Sequence, residues 1–458
     1  MKKGSVLKSL ASLKLAVIVI LLLAGLTAWG TFVEARYQDA QAAQKIVYHS
    51  WWMYLAMGLL CVNLIAVMID RWPWKNQHTG FILAHIGILI LIGGSLVTRY
   101  FGIDGSLTLK IGAKSKHVVV SNTDLTLYSS FDGSSYTKLF DQEVDFFTNR
   151  PTQVKPFEID MPQAKIKVIR YVPYALRDQK VIASQETGDG AALRFQLQND
   201  RVSMTEWLVQ PAQGREVVKD LGPAKVVFGA GNYPPEMLQG NVLILTPKGE
   251  DEIAYEIRSA RAELKPKKGV AKPGDVVETG WMGLVLRILK YMPHAKEQIS
   301  FKETERLSQM TTPALEVEFN GKPQWLSLNS MLKMFTNDAV YILTYANRRL
   351  DIGVDLALKK FDIGRQQGTM KAASYQSTVE VPGQGEVLIS MNEPLKHNGF
   401  TFYQASFNED ETGQPIESVL SVNRDPGRWI KYLGSLLIVL GCIHLFYFKK
   451  YGKKGKAA

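Results

Sequence analysis

Two histidines lie inside long apolar stretches of this 458-residue chain, where an ionisable side chain is unusual. His85 is the one ionisable group in Thr79–Thr98, and His444 is the one in Tyr432–Phe448 that titrates near neutral pH. Ionisable groups within a membrane are rare, and they face a protein interior or a cavity. A neutral imidazole is a good axial ligand for haem iron. His85 is therefore a candidate ligand, and the alternative is an imidazole hydrogen-bonded to a neighbouring helix.

Glycines share the helix that carries His85. Gly80, Gly87 and Gly94 recur every seven residues and predict a smooth ridge for close helix packing. At about 100° per residue, His85 points roughly 160° away from Gly87. One face of this helix is thus free for a site while the other packs. We expect His444 at a similar depth, so it is either a second axial ligand or an interfacial histidine beside the aromatic end of its helix.

Residues for other chemistry are missing from the sequence. It contains no G-x-S-x-G elbow, P-loop, HExxH or CxxC motif. His117, His294 and His397 are far apart and lack metal-ligand spacing. Cys61 and Cys442 both fall in apolar stretches, where small apolar packing explains them. We therefore predict no catalytic residue. The motifs give no support for hydrolysis, and the cysteine pattern argues against a thiol–disulfide oxidoreductase.

Four apolar stretches are long enough to cross a membrane, at about 15–33, 50–69, 79–98 and 432–448. The first is longer than the apolar core of a cleaved signal peptide, so we expect it to be retained. These stretches predict a membrane part at 1–98, a large extracytoplasmic domain at 99–428, and a last helix with a basic tail at 429–458.

Charge gives the orientation. The net charge is +11, yet residues 99–428 hold 40 basic and 40 acidic side chains, so the excess lies in the two ends. Basic residues flank the apolar stretches on one side: Lys2, Lys3, Lys8, Lys14, Arg71, Lys75, Lys449, Lys450, Lys453, Lys454 and Lys456. By the positive-inside rule both termini are cytoplasmic and the neutral domain is outside. The basic pI thus does not indicate a nucleic-acid partner.

The outer block reads mainly as strands. Short runs rich in Val, Ile and aromatic residues alternate with Gly, Pro, Asn and Asp. We predict one or two β-sandwich-like units, with helices only at Trp281–Met292 and Leu326–Phe335. The sheet edges would suit binding of an extended polypeptide by strand addition. The fold class is thus a membrane protein of four transmembrane α-helices, with a large, mainly β domain between the third and fourth.

Ordered motifs give this architecture a family likeness. Near its start the chain carries Leu10–Ala16. The third apolar stretch contains an H-x-G pattern at Ala84–Gly87 that continues through Gly93 and Gly94, and Phe101–Gly105 follows it. The late segments are Met391–Leu395, Gly399–Ser406 and, directly before the last helix, Ser421–Gly427. Together these segments resemble the ResB/CcsB family of system II cytochrome c biogenesis. The likeness covers essentially the whole chain.

The resemblance implies a partner and a cargo. Members work with a CcsA-type (ResC) membrane protein of the bacterial inner membrane, move haem b to the outer face, and attach it to Cys-x-x-Cys-His of apocytochrome c. The family's membrane histidine, which helps hold haem in transit, maps onto His85; His444 has no such counterpart. Residues of the late motifs are candidates for contact with partner or apoprotein: Asn392, Pro394, Leu395, Gly399, Tyr403, Gln404, Arg424, Pro426 and Gly427.

One family feature is missing from these residues. The tryptophan-rich haem motif of the CcsA part, at which attachment occurs, does not occur in the sequence, and Arg71–Lys75 reads better as an interface anchor in contact with lipid. We therefore expect an accessory subunit that is not catalytic alone. The alternative is a cofactor-free, membrane-anchored scaffold or chaperone for assembly of an extracytoplasmic complex, and core packing is the alternative role of the late motifs.

Overall fold

The computed structural model describes residues 3–448 except 162–164, 187, 212–213, 223, 232, 235–237, 262–264, 369–370 and 411–412. The lysines of the tail predicted after Phe448 fall outside the described residues. The chain divides into two compact units. Unit 1 comprises residues 1–175 and 303–458, and unit 2 comprises residues 176–302.

Within the part of the chain that the structure describes, four helices are long and apolar enough to cross a membrane, as predicted, so this is a membrane protein. The helices are α1 (Lys3–Leu10), α2 (Leu13–Tyr37), α3 (Ala40–Ala43), α4 (Trp51–Asp70), α5 (Thr79–Phe101) and α6 (Arg428–Ile443), the last continuing as a π-helical turn to Phe448. The spanning helices are α2, α4, α5 and α6. The hydroxyls of Ser12 and Ser50 cap α2 and α4 by accepting hydrogen bonds from backbone N–H groups in the first turn.

Helices α5 and α6 pack antiparallel along matching rows of glycine. A Cβ atom built on Gly87 would lie 2.6 Å from the carbonyl oxygen of Gly434, and one on Gly80 would lie 2.7 Å from that of Gly441. At the third position, Gly94 meets the backbone of Lys431 and Gly427 meets the carbonyl of Gly94. The predicted ridge on α5 is therefore confirmed as a packing face, and α6 supplies a second ridge with the same seven-residue period.

The helix pair continues directly into a strand pair. Helix α5 ends at Phe101 and β1 (Ile103–Lys110) begins two residues later, while β24 (Pro415–Arg424) ends four residues before α6. The two strands pair antiparallel along their length, from Ile103 opposite Arg424 to Lys110 opposite Glu417. The β domain is thus joined to the membrane part by two adjacent segments of the chain, α5 with β1 and β24 with α6.

Two hydrophobic cores of unit 1 share two long strands, β2 (Lys114–Ser130) and β19 (Val340–Arg365). One core contains Leu107, Leu356 and Phe402, and the other contains Leu127, Ile166 and Leu315. The other strands of unit 1 are β3 (Thr137–Val144), β4 (Phe157–Asp160), β16 (Thr311–Phe319), β17 (Lys322–Ser327), β18 (Ser330–Phe335), β20 (Ala372–Val381), β21 (Gly385–Ile389), β22 (Leu395–His397) and β23 (Phe400–Glu409).

Unit 2 is built from two sheets around a third core that includes Phe195, Phe228 and Trp281. Its strands are β6 (Ala192–Gln198), β7 (Ser203–Val209), β8 (Val217–Asp220), β9 (Lys225–Phe228), β10 (Val242–Lys248), β11 (Glu252–Arg258), β12 (Lys267–Ala271), β13 (Val276–Glu278) and β14 (Val285–Met292). Strands β5 (Lys165–Ala183) and β15 (Ala295–Glu303) run across the unit boundaries. The mainly β composition is confirmed, and the three largest hydrophobic cores of its described residues are the two in unit 1 and the one in unit 2.

Both helices predicted in the β domain are wrong. Trp281–Met292 contains a turn and then β14, whose Leu286 and Ile288 are fully buried. Leu326–Phe335 contains the end of β17 and all of β18, with a turn at Asn329, which has φ 58°. Short apolar runs do not distinguish a strand from a helix, and an asparagine in the left-handed region was the turn signal.

Candidate functional site

The first candidate site is the imidazole of His85, in the first half of α5. Its Nδ1 lies 2.8 Å from the carbonyl oxygen of Phe81, one turn earlier in the same helix. A carbonyl can only accept, so Nδ1 carries the proton and Nε2 keeps its lone pair. The Phe81 ring lies against the imidazole, with 3.8 Å between centroids. His85 is half-buried, so this ring is oriented by its own helix and still accessible.

His444, the second candidate, lies in the π-helical turn after α6 and packs against a face of α5 that does not carry His85. Its Nδ1 would be 2.9 Å from a Cβ atom built on Gly80, which places the ring on the glycine seam. Because the glycine ridge and His85 point nearly oppositely from α5, the structure does not bring the two imidazoles together. The Nδ1 atom of His444 is buried without a hydrogen-bond partner among the described residues, and its ring stacks on Phe448.

The first of the late motifs forms a hairpin. Strands β22 and β23 are joined at Asn398 and Gly399, which have φ of 50° and 78°. An Asn-Gly pair with positive φ at both residues is the favoured two-residue hairpin turn. Leu395 is buried opposite Phe402, Pro394 is half-buried, and Asn392 is exposed. Gly399 thus acts as a turn former.

Tyr403 and Gln404 of this motif point in opposite directions from β23. Tyr403 is 38% exposed, whereas Gln404 is buried. The amide oxygen of Gln404 accepts a 2.6 Å hydrogen bond from the hydroxyl of Ser377, and its Nε2 donates to the Ser418 hydroxyl at 3.1 Å. These contacts make Gln404 part of a polar network inside the first core of unit 1. Tyr403 is left as the residue of this pair available to a partner.

The second late motif forms the junction between β24 and α6. The carboxylate of Asp425 accepts hydrogen bonds from the Thr98 hydroxyl at 2.6 Å and from Lys431 Nζ at 2.7 Å. Burial raises the pKa of Asp425, but these two hydrogen bonds and the ammonium charge outweigh it and hold the pKa below its ordinary value. Gly427 is buried against the backbone of Gly94. This motif therefore ties α6 to the end of α5.

The two late motifs meet at the surface of unit 1. A shallow cavity of about 280 Å³ is lined by Gly399, Arg424, Asp425, Pro426, Arg428 and Trp429. The Arg424 guanidinium lies 5.6 Å from the centre of the Phe400 ring, and Trp429 is 78% exposed. The structure thus gathers the exposed motif residues Gly399, Arg424 and Pro426 beside a cationic, aromatic surface where the last helix begins.

Residues around these sites differ in whether the sequence alone indicates their role. The ridge of Gly427, Gly434 and Gly441 has the period already recognised on α5 and was detectable in the same way. Phe81 was recognisable as the residue one turn before His85, where its carbonyl is in reach. Thr98 was not, because its contact with Asp425 spans 327 positions of sequence.

The described residues contain no group of three or more His, Cys, Asp or Glu side chains arranged to hold a metal ion. The four spanning helices of the described residues, with a large β domain inserted between the third and the fourth, define a multi-pass membrane protein. Within that class, residues 336–418 match the ResB-like family. The match covers the late motif with Tyr403 and Gln404, and not His85.

A curated relative extends the likeness beyond that match. The chain is 23% identical over 446 residues to Protein NrfI of Wolinella succinogenes, an alignment that covers 95% of this chain and 34% of that protein. The chain spans about a third of the relative's length. Together with the ResB-like match, this similarity confirms the resemblance to the ResB/CcsB family.

Proposed function

We propose that this chain is a subunit for cytochrome c biogenesis that holds haem b in transit at His85. The ResB-like match and the similarity to NrfI support the biogenesis role. We further propose that a CcsA-type membrane protein completes the site and that haem is passed on to apocytochrome c. The chain contributes binding and presentation, and the partner contributes covalent attachment.

The observation that carries the haem assignment is the hydrogen bond from His85 Nδ1 to the Phe81 carbonyl. Histidines that ligate metals donate their other ring N–H to a carbonyl or carboxylate, which fixes the ring and makes the ligating nitrogen more basic. His85 has this arrangement, with Nδ1 donating to the Phe81 carbonyl. Haem iron would supply a Lewis-acidic centre for Nε2 of this half-buried ring.

The proposed orientation follows from charge. Arg71 and Lys75 follow α4, Lys8 lies in the last turn of α1, and Lys14 lies at the start of α2. Basic loops stay in the cytoplasm, so the α4–α5 connection faces inward and the β domain faces outward. His85 then lies about 9 Å along α5 from its inner end. Haem would enter this site from the cytoplasmic half of the inner membrane.

The test replaces His85 with alanine in the full chain co-purified with its CcsA-type partner. We expect the Soret absorbance of the complex to fall and to recover when imidazole is added, because free imidazole can occupy the ligand position. His78→Ala, in the adjoining loop, is the matched control and should keep its haem. Unchanged haem content in the His85 variant would refute the ligand assignment.

A second candidate function, a cofactor-free scaffold, is favoured by the hydrogen bonds that Gln404 and Asp425 make within the fold. Both motif residues hold the fold together, and the α5–α6 pair runs into β1 and β24 as one element. The double variant Tyr403→Ala and Gln404→Ala tests the surface role. Retained apocytochrome binding and maturation would mean that this motif is core packing alone.

A further inference from the structure

The α4–α5 connection carries an arginine stacked beside the candidate haem ligand. We propose that Arg71 binds a carboxylate of the haem held at His85, which makes the site a two-point clamp for iron and a propionate. This inference rests on the proposed function and deepens it. Arg71 and its neighbours otherwise read as a membrane-interface anchor, so the structure adds a specific role to one residue of that loop.

Phe81 is the element that joins the two groups. The Arg71 guanidinium carbon lies 3.8 Å from the centre of the Phe81 ring, and the His85 ring centre lies 3.8 Å from the same point. The distance between guanidinium and imidazole is therefore at most twice 3.8 Å. A porphyrin ligated at Nε2 carries its two carboxylates at the ring edge, several ångströms from the iron. Arg71 is thus close enough for one of them to reach.

The guanidinium of Arg71 is available for this contact. Across the described residues no hydrogen bond or ion pair to it is found, and its side chain is exposed. By contrast, Arg36, Arg170, Arg348 and Arg365 each pair with a carboxylate. Stacking on Phe81 uses the flat face of the guanidinium and leaves its N–H edge free. That edge is the part that binds a carboxylate in bidentate fashion.

The position of Arg71 also suits the amphiphilic shape of haem. It caps the end of α4, at the membrane boundary, whereas His85 lies further along α5 inside the spanning segment. A planar ligand with one charged edge will place that edge toward water and its apolar edge toward the bilayer core. The clamp imposes the same direction, because the cation is at the boundary and the iron ligand is deeper.

The connection is fixed well enough to present the guanidinium. The indole N–H of Trp74 donates a 2.9 Å hydrogen bond to the carbonyl of Met68, near the end of α4. Trp72 and Trp74 pack edge to face, with 5.1 Å between ring centroids, and both are exposed. The loop is thus folded back on α4 rather than extended, and it holds Arg71 against Phe81.

Lys75 provides a matched control for this proposal. It lies in the same connection and carries the same charge, but it has no contact with Phe81 or His85 among those the structure gives. Arg71→Gln and Lys75→Gln remove one positive charge each from the same loop. A general attraction to anions, or an effect on membrane insertion, would therefore appear in both variants.

The experiment titrates the full chain, co-purified with its CcsA-type partner in lipid nanodiscs, with iron(III) protoporphyrin IX and follows the Soret band. We expect Arg71→Gln to bind about tenfold more weakly, as for loss of one charge-assisted hydrogen bond, while Lys75→Gln binds like the parent. With the dimethyl ester of the same porphyrin, parent and Arg71→Gln should bind equally, since no carboxylate is present. Arg71→Lys should recover part of the loss.

Several outcomes overturn the clamp. Unchanged binding in Arg71→Gln, an equal loss in Lys75→Gln, or an equal loss with the ester would each show that Arg71 does not bind a propionate. The proposed function fails separately, when His85→Ala keeps its Soret band and its affinity. Loss in His85→Ala with no effect of Arg71→Gln leaves His85 as the ligand and removes Arg71 from the site.

Discussion

The backbones of Gly87 and Gly434 touch where α5 and α6 cross. A Cβ atom built on either glycine would lie no more than 2.7 Å from the carbonyl oxygen of the other. The same approach is repeated one heptad away, between Gly80 and Gly441. Without a hydrophobic driving force between helices in lipid, such close packing is a main source of their association. It also fixes the rotation of α5, and with it the direction in which His85 faces.

Replacing Gly87 with alanine should destabilise the protein, although alanine favours a helix by about 1 kcal/mol over glycine. The new methyl group would collide with the carbonyl of Gly434 and with Ile438, and overpacking costs about 1–3 kcal/mol. Gly93→Ala is the control, because a Cβ there meets nothing within 4 Å. Thermal unfolding in detergent should show a lower Tm for the Gly87 variant and an equal or higher Tm for the Gly93 variant. The opposite order would mean that α5 and α6 are not packed this way.

Substitution of Gln404 should mainly lower stability, whereas substitution of Tyr403 should mainly affect function. Gln404→Ala removes one hydrogen-bond partner from each of the Ser377 and Ser418 hydroxyls, which among the described residues keep only their bond to each other, and such a loss inside the core costs about 1–3 kcal/mol. Tyr403→Ala removes a side chain that is 38% exposed and should change the Tm little. Thermal unfolding measures the first effect, and cytochrome maturation at equal protein level measures the second. A large loss of Tm in Tyr403→Ala would show that this residue serves the core instead of a partner.

The membrane part could be predicted because its structure depends on residues that are close together in the sequence. A run of about 20 apolar residues crosses a bilayer wherever it lies, and the seven-residue spacing of Gly80, Gly87 and Gly94 marks a packing face without knowledge of the partner helix. The β domain is different, since its pairings join distant segments. Strand β2 pairs with β19, more than two hundred positions away, and no local pattern specifies that register.

The site shows the same division. The sequence identifies His85, because an ionisable group in an apolar helix stands out. It predicts only an interface anchor at Arg71, because the contact of Arg71 with Phe81 depends on how the α4–α5 connection folds back. Gln404 and Tyr403 are neighbours in sequence, and only the alternation of β23 shows that one is in the core and the other on the surface. The helix prediction at Trp281–Met292 failed because a short apolar run fits either periodicity.

Stability of the α5–α6 junction should depend on acid pH through Asp425. Its pKa is depressed in the folded protein, so the ionised carboxylate contributes stability above the ordinary value of 3.8, and this is lost as pH falls through the folded-state pKa. Asp425→Asn should lower the Tm at neutral pH and make it less sensitive to acid below about pH 4. Acid titration of the Tm tests this, with Asp362→Asn as a control because its pair with Lys360 is exposed. Equal acid sensitivity in Asp425→Asn and the parent would contradict it.

Asn63 should hold the short helix α1 in place from within α4. Its buried Nδ2 donates hydrogen bonds to the carbonyls of Leu10, at 2.6 Å, and Ser12, at 3.4 Å, where the chain breaks between α1 and α2. The end of α1 leaves the Leu10 carbonyl without a helical partner, whereas the Ser12 carbonyl also accepts a hydrogen bond from the backbone N–H of Ala16. A buried carbonyl without a donor is costly, so the amide of Asn63 matters most at Leu10. Asn63→Leu should therefore lower stability by about 1 kcal/mol, the scale of a hydrogen bond between membrane helices.

The measurement for Asn63 combines the Tm with labelling. In a background without Cys61 and Cys442, a cysteine at Ser9 should react faster with a maleimide when Asn63 is leucine, because α1 is then released from α4. Val62→Leu, next to Asn63 and 45% exposed, is the control and should leave both quantities unchanged. Unchanged labelling together with an unchanged Tm in Asn63→Leu would show that apolar packing alone holds α1 against α4, and that the amide contributes no net stability there.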